Sequence, residues 1–207
     1  MKVVKFGVEG LRSATRVVAS GGLLVYPTET VYGLGCDPFN ESAVRKVFQV
    51  KRRRRLPLPV LGSSLGDLER ICVLNNSARR AAQAFWPGPV SLVVRKRKTL
   101  SDLVTAGLGT AAVRVPSHLA ALEVLRVCGG LLVGTSANLS GQEPPASFSD
   151  ISNEIVRQVD LVIDGGRSLY GVPSTVIRLR RGSAVLLREG AIPLQSLSER
   201  LKAVRYR

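Results

Sequence analysis

The sequence predicts an α/β (α+β) fold: a mixed sheet flanked by helices, in a single domain over residues 1–207 with its motif-bearing core at about 7–192. Three observations predict it. Short apolar or β-branched runs alternate with stretches whose apolar residues recur every three to four positions. No linker, repeat or low-complexity block interrupts the 207 residues, a length that suits one domain. Hydrophobic residues make up 45% and charged residues 22%, the balance of a chain that folds around a core rather than a disordered or coiled-coil chain.

The elements follow in order. Val8, Leu11, Ala14, Val17 and Val18 share one face of a helix over 7–20, which Gly21-Gly22 ends. Residues 23–26 read as a buried strand. Val44, Val47 and Phe48 form the inner face of a helix over 39–50, with Asn40 or Ser42 as its cap. A short strand is expected at 59–61. Helices follow at 65–72 and 77–85, the second stopped before Pro87. Strands at 90–95 and 111–115 precede a helix over 117–127, with Ser117 as its cap and Leu119, Leu122, Val124 and Leu125 apolar. A strand at 131–134, a helix at 151–159 and a strand at 161–163 come next. Strands at 175–179 and 184–187 pair around 180–183, and an amphipathic helix over 194–204 closes the chain.

Charge is the abnormal quantity. Thirty Lys and Arg against fifteen Asp and Glu give +15, a surface that attracts nucleotides, nucleic acid or acidic headgroups. One histidine (His118) and three scattered cysteines without a C-x-x-C pair exclude a structural zinc site or dithiol centre. An odd, sparse set of thiols fits a reducing compartment. No apolar run is long enough to span a bilayer, and the first residues lack the core of a secretory signal. The expectation is a soluble cytoplasmic protein without membrane contact, an organellar leader carrying Arg12 and Arg16 being the minor alternative.

Several polar segments sit at strand ends, where ligands of α/β sheets collect. Five consecutive cations, Lys51 to Arg55, end a helix and lead into an apolar run at 56–61. They read as a solvated turn or a grip on RNA backbone, with part of the cluster at a strand entrance. Gly107-x-Gly109-x-x-Ala112 fails as a dinucleotide fingerprint because a strand follows it, and no P-loop is present. Ser136 and Asn138 follow an apolar strand and either face one ligand or cap a turn. Ser136 lacks a G-x-S-x-G setting, so it is not read as a hydrolase nucleophile. Arg114 lies between Val113 and Val115. It needs either a ligand carboxylate or phosphate, or a structural partner among Glu29, Asp37 and Asp164. Arg188 raises the same question. Asp164-Gly165-Gly166 and Trp86-Pro87-Gly88-Pro89 read as turns.

In their order along the chain, these blocks resemble the YrdC family, whose enzymatic members are threonylcarbamoyl-AMP synthases. The blocks are Tyr26-Pro27-Thr28-Glu29-Thr30-Val31-Tyr32-Gly33-Leu34-Gly35, Lys51-x-Arg53, Trp86-Pro87-Gly88-Pro89, Arg114-x-Pro116, Ser136-x-Asn138, Asp164-Gly165-Gly166, Ser174-Thr175 and Arg188-x-Gly190. Each is weak alone, and eight in order are specific. The resemblance implies a deep, positively charged cavity. It also implies synthesis of threonylcarbamoyl-AMP and pyrophosphate from L-threonine, bicarbonate and ATP, with Mg²⁺ carried by the ATP and no dedicated metal site on the protein. The product feeds t6A modification of tRNA through a separate transferase complex. Carried over residue by residue, Lys51 and Arg53 are the catalytic cations. Thr28, Arg114, Gly134 and Ser174 contact threonine. Lys51, Arg53, Thr110, Ser136, Asn138 and Arg188 contact the nucleotide. The segment Arg54-Arg55-Leu56-Pro57 departs from the family pattern, so Arg52, Arg54 or Arg55 can take Arg53's place. The expectation is a single domain without the additional C-terminal domain of longer members.

The competing reading is a non-catalytic protein that binds tRNA or double-stranded RNA, carried by the net charge and by the runs 51–55 and 95–98. Aromatic residues are only 5% of the chain, so stacking platforms for single strands are sparse.

Overall fold

The computed structural model describes residues 2–52, 56–180, 183–201 and 204–206. The expected mixed α/β architecture is present, with its strands divided between two sheets. The chain begins with β1 (Lys2–Lys5), α1 (Val8–Ala19), β2 (Leu24–Tyr26), β3 (Gly33–Gly35), α2 (Glu41–Val50) and β4 (Val60–Gly62). It continues through α3 (Leu65–Glu69), β5 (Cys72–Val73), α4 (Asn76–Phe85), β6 (Val90–Lys96), α5 (Asp102–Thr105) and β7 (Thr110–Arg114). Next come α6 (Leu119–Val127), β8 (Leu131–Val133), β9 (Thr135–Ser136), α7 (Asn153–Arg157) and β10 (Leu161–Asp164). The last elements are β11 (Thr175–Arg180), β12 (Ser183–Arg188), α8 (Leu194–Leu201) and β13 (Val204–Tyr206).

The smaller sheet has the order β1-β10-β2-β3-β9, and the larger β13-β12-β11-β6-β7-β4-β8, with β5 paired to β6. Only Gly134 separates β8, in the larger sheet, from β9, in the smaller. The two sheets therefore meet beside Gly134. Two cores hold this arrangement. Ala14 and Val18 of α1 and Ala121, Val124 and Leu125 of α6 bury against Leu24, Tyr26, Leu132, Leu161 and Ile163. The larger core joins α2 and α4 to the other side of the strands through Val44, Val47, Ala81, Phe85, Val60, Leu92 and Val113.

Caps explain most helix starts. Asn40, Ser64, Asn75, Ser101 and Ser152 each accept an N–H of the first turn. Helix α1, which follows Gly7, has no side-chain cap, and neither has helix α6. It begins after His118, which makes no side-chain cap, and the expected Ser117 cap is not formed. Where the structure departs from the sequence reading, a sheet edge has taken the residues. The helix expected over 65–72 stops at Glu69 because Cys72 and Val73 pair with Lys96 and Arg95. The closing helix stops at Leu201, and β13 pairs in parallel with β12. Lys2–Lys5 pairs with β10, an edge strand that its weak apolar pattern did not signal.

Among the described residues no helix is long and apolar enough to cross a membrane. Cys36 and Cys72 are buried and Cys128 is half-buried, all as free thiols. Burial pushes each thiol up to about 12. At pH 8 the thiolate fraction is then about one in ten thousand. A thiol reagent should therefore label the folded protein far more slowly than the urea-unfolded chain. Rapid labelling of Cys36 or Cys72 in the native protein would contradict their burial.

Candidate active site

A hollow of about 220 Å³ opens where the two sheets meet. Hydroxyls of Thr28, Thr30, Ser91, Thr135, Ser136 and Ser174 line it, together with the guanidinium groups of Arg114 and Arg188. None of the described lining residues is a carboxylate. The walls offer donors and positive charge, the chemistry that receives carboxylates and phosphates.

Strand register puts the two arginines in one row. Leu92 pairs with Val113, so Ser91 stands beside Arg114 at the next position. Ser91 pairs with Val176, and Val176 with Arg188. Arg114, Ser91, Val176 and Arg188 thus cross β7, β6, β11 and β12 in line. Arg188 donates from Nε and Nη2 to the Ser174 carbonyl at 3.2 and 2.7 Å. Its Nη2 also reaches Ser174 Oγ at 3.2 Å, and Ser174 Oγ lies 2.9 Å from Ser91 Oγ. This row is a wired wall rather than a set of loose side chains.

Arg114 and Glu29 are only 4% and 2% exposed. Arg114 Nη1 donates to Glu29 Oε1 at 2.5 Å, and Nη2 to Thr30 Oγ1 at 3.3 Å. Of the three structural partners considered for Arg114, the structure selects Glu29. Arg114 still borders the hollow. Its Nε and Glu29 Oε2 are buried without a hydrogen-bond partner among the described residues. Thr28 builds the loop that carries Glu29. Its Oγ1 donates to Val31 O at 2.7 Å and accepts from the Thr30 and Val31 amides, a side-chain turn that holds the loop without a strand partner.

Two glycines allow the walls to close. A Cβ on Gly134 would stand 2.4 Å from Leu61 Cγ, and one on Gly190 would stand 2.2 Å from Pro173 O. On the far side, Tyr32 OH donates to Gly166 O at 2.6 Å and accepts from the Gly165 amide at 3.2 Å. Burial pushes this phenol up to about 12. The Asp164-Gly165-Gly166 turn is a brace for the Tyr32 loop. The Trp86 turn is tied to β6, since Trp86 Nε1 donates to Val90 O at 2.6 Å.

The structure does not bring all expected residues to the hollow. Lys51, 2% exposed at the end of α2, lies beneath the segment that follows β9. Its ammonium donates to Ser136 O at 2.5 Å and to Asn138 O at 2.8 Å. Ser136 lines the hollow, whereas the Asn138 amide turns to Gln142 O at 2.6 Å and Leu139 O at 3.1 Å. Thr110 shares a strand face with Ala112 and Arg114 but begins β7, about 14 Å from Arg114 by strand rise. It borders a separate cleft of about 620 Å³ with Arg95 and Arg178. Arg53, Arg54 and Arg55 lie outside the described residues. The sequence reading missed Ser91, Thr30 and Thr135. A signal for Ser91 existed, namely a small polar residue inside an apolar strand.

Lys51→Met should therefore loosen the 136–140 segment, because buried carbonyls lose their donor at about 1–3 kcal/mol. Faster amide exchange at 136–140 with unchanged exchange in α2 is the expected pattern. Unchanged exchange in the segment would remove the clamp role.

Fold and site together define a mixed-sheet α/β protein with a hydroxyl- and guanidinium-lined hollow between its sheets. The family model Sua5_yciO_yrdC, described as "Telomere recombination", matches residues 16–190, and the chain belongs to this Sua5/YciO/YrdC family. It is 36% identical over 197 residues to the threonylcarbamoyl-AMP synthase of Pyrococcus abyssi, covering 94% of this chain and 58% of that protein. It is 33% identical over 182 residues to a putative threonylcarbamoyl-AMP synthase of Methanocaldococcus jannaschii, covering 87% and 86%. A solved P. abyssi Sua5 structure complexed with L-threonine superposes with a TM-score of 0.93 at 35% identity, over 99% of this chain and 62% of the other. The chain thus spans about three-fifths of the P. abyssi relative's length.

Proposed function

We propose that the chain is a threonylcarbamoyl-AMP synthase. It would make threonylcarbamoyl-AMP and pyrophosphate from L-threonine, bicarbonate and ATP, for t6A modification of tRNA. The observation that carries this reading is the row Arg114–Ser91–Val176–Arg188 in a hollow with no carboxylate among its described lining residues, within a family whose named relatives are such synthases.

The chemistry needs little beyond what this wall offers. Threonine's ammonium first gives up a proton to water, and the resulting neutral amine combines with bicarbonate to give a carbamate and water. A carbamate oxygen then attacks the α-phosphorus of ATP, and pyrophosphate leaves with the electron pair of the broken P–O bond. Both reactants are anions that repel each other in water. Fixed guanidinium groups remove that repulsion and stabilise the charge gathering at phosphorus. Holding the carbamate against the phosphate supplies the proximity term.

In this reading Arg114 takes the threonine carboxylate, while Thr28, Gly134 and Ser174 shape its seat. Ser136 and Arg188 face the nucleotide. Lys51 acts at one remove by clamping the Ser136–Asn138 backbone, and Arg53 is the second catalytic cation of this reading. A hollow of 220 Å³ is below the range of sites that hold drug-sized ligands. The nucleotide therefore extends out of it, and it meets Thr110 only by running along β7. Mg²⁺ fits as a passenger on the ATP phosphates, where it supplies charge neutralisation. Among the described residues no group of three His, Cys, Asp or Glu side chains is placed to hold an ion.

RNA contact is a weaker part of this reading. In the 95–98 run Lys96 pairs with Asp102, and Arg97 donates to the Glu69 and Cys72 carbonyls. Arg95 and Lys98 are the exposed cations left for a phosphate backbone, and hand-over to a tRNA-modifying complex in a reducing cytoplasm would follow catalysis.

The decisive experiment is pyrophosphate release from ATP with threonine and bicarbonate omitted in turn. Release should require all three. Release that ignores threonine would remove the proposal.

A further inference from the structure

Glu29 touches Arg114 but is not among the residues that line the hollow. Whatever it does for a ligand, it does through the guanidinium. Both side chains are almost wholly withdrawn from water, so neither charge is screened. The carboxylate seat at Arg114 therefore carries a positive and a negative charge in contact. The hydroxyls of Thr28, Thr30 and Ser91 around it are neutral.

That pairing looks counterproductive for an anion site. A bare buried arginine would hold a carboxylate more strongly. It would also hold every other anion. In the reaction proposed above, two of the three substrates, bicarbonate and ATP, are anions that would compete for the seat. With Glu29 behind the guanidinium, a simple anion at Arg114 is repelled by the buried carboxylate. A ligand that brings its own ammonium group offsets that repulsion.

We propose that Glu29 is a specificity-determining residue, the buried counter-charge that makes the Arg114 seat select a zwitterionic amino acid over an anion that lacks an amine. The inference rests on the reading of the hollow as a threonine site and adds the basis of its selectivity. Glu29 does not touch the ligand. It sets the net charge of the seat and fixes Nη1, while Nη2 donates to Thr30 Oγ1 at 3.3 Å. The cost is visible in the structure, where Glu29 Oε2 and Arg114 Nε are buried without hydrogen-bond partners among the described residues. Repulsion of the wrong ligand is a common route to selectivity.

The test is direct binding by calorimetry without ATP. It uses L-threonine and 3-hydroxybutanoate, which is threonine with its amine replaced by hydrogen. The wild-type protein should bind threonine at least about tenfold more tightly, a lower bound for one unit charge several ångströms away inside a protein. Glu29→Gln keeps an acceptor for Arg114 and removes the charge. It should shrink that preference by about tenfold, chiefly through tighter binding of 3-hydroxybutanoate. Glu29→Asp keeps the charge and should keep the preference.

Equal binding of the two ligands by the wild type, or an unchanged preference in folded Glu29→Gln, would overturn the proposal. A purely structural role would lower both affinities together and leave their ratio alone. Should Glu29→Gln fail to fold, the wild-type and Glu29→Asp ratios decide the matter. If threonine binds and the preference is absent, only the role of Glu29 fails. If the wild type binds neither ligand, the threonine site fails and this inference with it.

Discussion

Arg114→Ala is expected to lower threonine-dependent pyrophosphate release by about 10²–10³-fold and to destabilise the fold by about 3–5 kcal/mol. The two losses have different causes. Activity falls because the carboxylate seat loses its only lining cation on β7. Stability falls because Glu29, 2% exposed, is left as a buried charge without its partner. A double variant separates them. Arg114→Met with Glu29→Gln removes both charges and restores an apolar stem of similar length. It should recover most of the stability in urea denaturation, since replacing a buried pair is commonly near neutral while breaking one is not. It should recover none of the activity. A double variant as unstable as the single one would show that the charge pair is not what Arg114 contributes to folding. A fully active Arg114→Ala enzyme would place the threonine carboxylate elsewhere.

Much of the scaffold was legible because its elements carry local signals. The helix face of Val44, Val47 and Phe48 is buried as the spacing required, and Asn40 caps it. Strands β11 and β12 pair antiparallel where the apolar runs at 175–179 and 184–187 predict a pair. What escaped is decided by pairing partners distant in the chain. Gly33–Gly35 and Thr135–Ser136 are too short and too poor in apolar side chains to announce a strand. Gly33–Gly35 becomes a strand between β2 and β9, and Thr135–Ser136 becomes one by pairing with it. The same limit applies to chemistry. An arginine in an apolar strand declares that it needs an anion, and that much was readable at Arg114 and Arg188. Which partner it meets depends on segments distant in the chain: the loop between β2 and β3 places Glu29 at Arg114, and the residue before β11 places the Ser174 carbonyl at Arg188. Lys51 shows the opposite case. Its motif suggested a group facing ligand, but its ammonium is occupied by the carbonyls of Ser136 and Asn138, a contact that no local pattern could encode.

The strongest test of the wired wall uses a residue with no side chain. Gly190→Ala adds one methyl group, whose carbon would lie 2.2 Å from Pro173 O, 2.6 Å from Ser174 C and 2.7 Å from Ser174 O. All three atoms are backbone, so no rotamer change relieves the clash. Either the 189–191 segment or the 173–174 segment must move. The two are joined by the Ala191 amide donating to Pro173 O at 2.9 Å, and Arg188 Nη2 donates to Ser174 O at 2.7 Å. Movement therefore displaces Ser174 and Arg188 together. Overpacking of this kind costs about 1–3 kcal/mol. A shift near 1 Å in groups that position reactants costs about a hundredfold in rate. The expected result is a folded protein, modestly destabilised, whose pyrophosphate release falls by about two orders of magnitude. Gly134→Ala provides the contrast, because the carbons it would meet, 2.4 to 3.2 Å away, all belong to the side chain of Leu61. A companion Leu61→Ala change makes room there and should restore part of the activity, whereas no side-chain truncation can rescue Gly190→Ala. If Gly190→Ala keeps full activity, Ser174 and Arg188 do not position the reacting groups, and the nucleotide must be held by another wall of the hollow.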